Sequence, residues 1–130
     1  MRVAVRDHSV HFEKAGSSFA VPVIFRLDGT FWVEAALWAR HLSADKEAAT
    51  VARAIDHVAT YATWLESEGI GWEHFPPLKK DRCLVRFRNA LIRDRDAGII
   101  APSTATACMN AVLRFYRWAH AMRLIGLDNP

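Results

Sequence analysis

The stretch Ser103-Thr-Ala-Thr-Ala-Cys-Met-Asn-Ala-Val-Leu-Arg-Phe-Tyr-Arg-Trp-Ala-His-Ala-Met-Arg-Leu-Ile-Gly-Leu-Asp-Asn-Pro130 decides how this chain is read. Ser103 or Thr104 stands where a hydroxyl can accept an otherwise unpaired backbone N–H and start a helix. Ala105, Cys108, Val112, Phe115, Ala119 and Met122 then recur at helical spacing and predict one buried face. Thr106, Asn110 and Arg117 fall on the opposite face, with Arg114 at its margin. Asn129-Pro130 opposes further helix and reads as an exit towards a second domain.

Upstream, the spacing predicts a third helix over Lys79–Ala97, stopped by Gly98. Leu84, Phe87 and Leu91 form its apolar stripe, and Arg82, Arg86 and Arg93 project from the other side. Gly71, Pro76 and Pro77 make residues 70–77 a loop. A second helix is expected over Lys46–Glu68, capped by Ser43 or Asp45 and ended by Gly69. Val51, Ile55, Val58, Ala62 and Leu65 line its inner face, with Arg53, His57 and Thr60 opposite. The first helix begins at Val33 and ends near Leu42-Ser43, with Val33, Ala36, Leu37 and Arg40 on one side. Before it, Phe19–Leu27 is rich in strand formers, Asp28-Gly29 is a hairpin turn, and Thr30-Phe31-Trp32 is the expected return. Pro22 confines that strand to an edge or an irregular stretch. The expectation is a mainly α fold: a helical bundle over residues 33–130, preceded by an extended segment, 1–32, with a short N-terminal β-hairpin.

At 130 residues the chain is about one domain, large enough for a single modest core. No apolar run approaches the ~20 residues that span a bilayer, and the N-terminus lacks a signal-type apolar stretch. Cytoplasmic residence, without a membrane partner, is the expectation. Cys83 and Cys108 belong to no Cys-x-x-Cys pair and read as reduced, buried thiols. The net charge of +3 is unevenly distributed. Lys79–Arg123 holds ten Lys/Arg against three Asp, a net of +7, and the remainder carries −4. That asymmetry favours a polyanionic partner for the second half.

No Gly-rich phosphate loop, nucleophile elbow or Cys/His zinc array occurs, so neither cofactor nor metal is expected. His8 and His11 are the only close histidine pair and lack the further ligands a metal needs. Glu66 and Glu68, two apart on a helix, do not face each other as a carboxylate pair. The basic residues carry more. Arg neutralises phosphate or reads guanine, Asn reads adenine, and Thr donates to phosphate.

Two segments carry a resemblance. Thr50-Val51 through Tyr61-Ala62-Thr63-Trp64-Leu65-Glu66-Ser67-Glu68-Gly69-Ile70 resembles the first long helix of the N-terminal core-binding domain of tyrosine recombinases, the phage-integrase type. Ser103-Thr104, Leu113-Arg114-Phe115-Tyr116-Arg117-Trp118-Ala119 and Leu127-Asp128-Asn129-Pro130 are similar to that domain's last helix and its exit to the catalytic domain. The resemblance covers residues 33–130 and implies a four-helix, SAM-like core-binding bundle that clamps duplex DNA at a recombination half-site. It departs from the family just after the Thr cap, where Ala105, Thr106, Ala107 and Cys108 replace the usual basic or amide residues.

By this reading the chain itself is not an enzyme. The family's catalytic residues lie in a downstream domain of the same parent, which is an expected partner alongside double-stranded DNA, with oligomerisation on DNA left open. The expected DNA contacts are Arg53, His57, Lys79, Lys80, Arg82, Arg86, Arg93, Thr106, Asn110, Arg114 and Arg117. The alternative is a protein-interaction bundle that docks a partner through exposed Trp32, Trp38, Trp64 and Trp72.

Overall fold

A computed structural model describes residues 4–14, 17–26 and 28–125, with side chains from Val21 onward. The Leu127-Asp128-Asn129-Pro130 exit lies outside the described residues. Two strands, β1 (Ala4–Lys14) and β2 (Ser17–Phe25), precede four helices: α1 (Val33–Ser43), α2 (Ala48–Glu68), α3 (Cys83–Asp96) and α4 (Pro102–Ala121). The protein is mainly helical, with an N-terminal β-ribbon. No described helix is long and apolar enough to cross a membrane.

The ribbon differs from the expected hairpin. Asp28-Gly29 does turn: Asp28 Oδ1 accepts from the Thr30 amide at 2.9 Å and its hydroxyl at 2.6 Å, and Gly29 takes φ +89°. The return after it shrinks to a single bridge between Phe25 and Phe31, because α1 begins two residues later. β2 instead pairs antiparallel with the upstream β1, from Ala4 opposite Phe25 to Lys14 opposite Ser17. Pro22, which has no N–H for the ladder, sits opposite Ser9 beside the register shift.

β2 belongs to the same core as the helices. Val21, Val23 and Ile24 are buried, and β2 packs on α1 and α2. On α1 the inner face is Ala35, Ala36, Trp38 and Ala39; of the expected side only Ala36 is buried, Leu37 and Arg40 are half-buried, and Val33 is 49% exposed. The small alanines let α1 approach its neighbours closely, while Trp38 fills the centre. Phe115 of α4 lies at its hub, with ring centroids 5.1 Å from Trp32, 5.6 Å from Trp38 and 5.5 Å from Trp72. Trp32, Trp38 and Trp72 are therefore core residues and cannot form the docking surface of the alternative reading. Trp64 is half-buried beneath Arg86.

Tyr61 and Tyr116 are fully enclosed, and their hydroxyls meet at 2.5 Å. Tyr116 also donates to the Trp72 carbonyl at 2.5 Å, which ties the loop after α2 to α4. Cys83 and Cys108 are both free thiols and buried.

Three helices end alike. After α2, the Gly69 amide bonds to the Glu66 carbonyl and the Ile70 amide to Leu65, with Gly69 left-handed at φ +68°. After α3, Gly98 and Ile99 bond to Arg95 and Asp94 in the same way. After α4 the left-handed position is held by Arg123 at φ +57°, with Arg123 and Leu124 bonded to His120 and Ala119. These are Schellman closures, in which two late amides satisfy the last helical carbonyls. The third one corrects the expected core face: Met122 is 59% exposed, and the reversal puts Ile125, at 3%, into the core instead.

Helix starts also differ from expectation. Glu47 precedes α2 with no side-chain cap, and Ser43 Oγ instead donates back to the Ala39 carbonyl at 2.8 Å. Ala101 precedes α4, and Pro102 takes its first position. Proline's fixed φ suits that position, and its missing N–H is one that would have gone unpaired there. The Lys79–Ala97 helix divides into a 3-10 turn, Lys79–Asp81, and α3 proper.

Candidate nucleic-acid interface

The outer face of α4 carries the expected polar ridge. Thr106, Asn110, Arg114 and Arg117 are all exposed, opposite the buried Ala105, Cys108, Val112 and Phe115. Because the helix starts at Pro102, Ser103 and Thr104 are also exposed on its first turn and make no capping bond. The amide groups of that turn point outward with the positive end of the helix dipole, which favours anions.

On one side the ridge meets α2. The Cys108 thiol lies 3.6 Å from the His57 carbonyl, so the two helices are closely apposed there. His57 is half-buried; burial holds its imidazole below the ordinary value, with Arg114 adding a smaller push and Asp56 opposing it. Near pH 7 His57 is accordingly neutral, suited to a hydrogen bond rather than to charge neutralisation. Arg53, one turn earlier on the same face, is exposed.

On the other side the ridge meets α3 across a groove of about 240 Å³. Arg88, Ile92 and Arg95 face Thr106, Met109 and Asn110 across it. Arg88 and Arg95 were missed in the sequence reading, although their spacing with Ile92 (i, i+4, i+7) marks one flank of a helix. Arg95 reaches its neighbour Asp96 at 3.1 Å, an exposed pair of little energetic weight.

The expected Arg82–Arg86–Arg93 stripe is not part of this surface. Arg82 is half-buried and donates from Nε to the Pro76 carbonyl at 3.0 Å, with a longer 3.4 Å contact from Nη2 to Pro77. Arg86 pairs with Glu68 at 2.8 Å and lies 5.8 Å over the Trp64 ring. Both hold the 70–77 loop and the end of α2 in place. Arg93 is exposed but lies two turns from Arg86 on the same flank, away from α4. Lys79 and Lys80 are exposed on the separate turn before α3. The structure thus brings His57, Thr106, Asn110, Arg114 and Arg117 together with Arg88 and Arg95, keeps Arg53 one turn from His57, and sets Lys79, Lys80, Arg82, Arg86 and Arg93 apart.

A second depression, about 580 Å³, lies between α1 and the end of α4, lined by Leu37, His41, Trp118, Met122 and Leu124 among others. The His41 and Trp118 rings are 5.8 Å apart within it. Comparison of this chain with protein families, with curated proteins and with solved structures gives no match.

Proposed function

We propose that this chain is a double-stranded DNA-binding module, the core-binding domain of a tyrosine-type recombinase, and that it meets the duplex with the α4 ridge. The observation that carries the reading is the exposed Thr106–Asn110–Arg114–Arg117 ridge, flanked by Arg88 and Arg95 on α3. These groups are suited to phosphate contact with limited base reading, since most protein–DNA hydrogen bonds go to the backbone. The +7 balance of the second half supports the same partner. Tyr61 and Tyr116 are enclosed in the core and are not proposed as nucleophiles. Strand cleavage is assigned to a downstream catalytic domain, and the two domains together would form the clamp.

The test is duplex binding by the 130-residue chain, followed by fluorescence anisotropy across a salt series. Each phosphate contact contributes about 0.9 to the slope of log affinity against log salt. Arg114→Ala with Arg117→Ala should weaken binding and reduce that slope by about 1.8. Arg86→Ala should leave the slope unchanged and lower stability by up to ~1 kcal/mol, the usual range for an exposed pair. An unchanged slope in the double variant, with its fold intact, would overturn the proposed surface.

A further inference from the structure

The groove between α3 and α4 combines basic flanks with an apolar strip. It is lined by Arg88, Ile92 and Arg95 from α3 and by Thr106, Met109 and Asn110 from α4, and among the described residues no carboxylate lines it. The buried Leu91 and Ala105 close it from beneath. Arg88 and Arg95 stand on either side of Ile92, about 10 Å apart along the helix. Both arginines, Thr106 and Asn110 are exposed. Ile92 is 37% exposed between the arginines, and Met109, half-buried against the core, borders the same space. A phosphate would use the arginines and Thr106 and gain nothing from Ile92 and Met109. Those two side chains stabilise a complex only by covering another apolar group.

We infer that this groove reads the 5-methyl group of thymine in the major groove of duplex DNA, which makes Ile92 a specificity-determining contact. The inference rests on the DNA-binding reading and deepens it. The thymine methyl is the one apolar group that the unmodified base pairs present in the major groove, and that groove admits a helix such as α4. Thr106 and Asn110 belong both to the α4 ridge and to the groove wall, so a duplex that meets the ridge brings its base edges to Ile92 and Met109. The Asn110 amide holds a donor and an acceptor and can meet the edge of either base pair. Arg88 and Arg95 then reach phosphates on either side of the methyl contact, where they add affinity without sequence preference.

The test compares duplexes that differ only in this methyl. Affinities are measured by anisotropy for alternating dA-dT against dA-dU, and for alternating dG-dC against the same duplex carrying 5-methylcytosine. Thymine should bind about fourfold more tightly than uracil, the value of one buried methyl group, and 5-methylcytosine should exceed cytosine in the same sense. Ile92→Ala, a surface change that removes no charge, should bring both ratios close to one and leave the salt slope unchanged. Duplex binding with equal affinity for thymine and uracil would overturn this inference alone. So would a thymine preference without a 5-methylcytosine preference, which would trace to duplex shape, or both preferences kept in full by folded Ile92→Ala. Absence of any duplex binding would instead overturn the DNA-binding reading, and this inference with it.

Discussion

Tyr116 connects three parts of the molecule through one hydroxyl: it donates to the Trp72 carbonyl and meets the hydroxyl of Tyr61, with the Cys83 thiol 3.6 Å away. Tyr116→Phe removes that oxygen while keeping the ring, and leaves the buried Trp72 carbonyl with only the weak 3.6 Å contact from the Cys83 thiol. The expected loss is about 1–3 kcal/mol, read as a lower urea midpoint. Tyr61→Phe should cost less, because Tyr116 keeps its bond to Trp72. Burial pushes both phenols well above the ordinary tyrosine value, with the neighbouring Tyr and Cys groups reinforcing the shift for Tyr116. The folded state therefore holds protons that the unfolded chain releases. Stability from this pair is fully present below about pH 10 and falls as pH rises beyond it. Unfolding midpoints measured from pH 8 to 11 should be level with respect to this pair at first and then drop. Cys108, pushed up to about 11 by burial, remains a thiol through most of that range.

At the scale of an element, the closure of α4 is unusual among the three because an arginine occupies the left-handed position. That conformation costs an ordinary L-residue roughly 1–2 kcal/mol, and glycine avoids the steric part while giving back ~0.5–1 kcal/mol in chain entropy. Arg123→Gly should raise the thermal midpoint, by up to ~1 kcal/mol of stability. Arg123→Val should lower it, since a branched side chain at positive φ is worse still. The closures after α2 and α3 were legible in the chain, because glycines stand at positions 69 and 98, at the ends of the periodic segments. The third was not, because nothing about arginine signals a left-handed turn. The same gap explains Met122. Its spacing continues the buried face of α4, but the helix has ended, and Ile125 takes the place in the core. On α3, periodicity separated Arg82, Arg86 and Arg93 from the apolar stripe correctly. It did not reveal that the end of α2 and its loop engage Arg82 and Arg86, or that Arg88 and Arg95 share the other flank with α4.

For the whole molecule, one aromatic core joins the β-ribbon to the bundle. Trp32 just before α1, Trp38 in α1 and Trp72 after α2 all converge on Phe115. Phe115→Ala should cost about 3–5 kcal/mol. That is a large share of the ~5–15 kcal/mol available to a domain, so calorimetry should show a single transition moved sharply down or lost. A local loss confined to α4, with α1 and the ribbon intact, would contradict a shared core. The proposed DNA surface belongs to this scale too, since it is assembled from α2, α3 and α4 and exists only when they are packed. Five tryptophans in so short a chain first suggest either a core or a docking face. Three of them lie in the core, and the other two, Trp64 and Trp118, are half-buried.

The sequence by itself determined four helices, two of their glycine closures, the polar ridge of α4 and the basic balance of the second half. These follow from periodicity, local backbone preference and charge, all carried within a few turns of chain. Tertiary structure alone decided that β2 pairs with the strand before it, that α1 turns its alanines and Trp38 inward, and which arginines remain available to a partner. Those outcomes depend on what covers a face, and a helical period specifies a face without naming its neighbour.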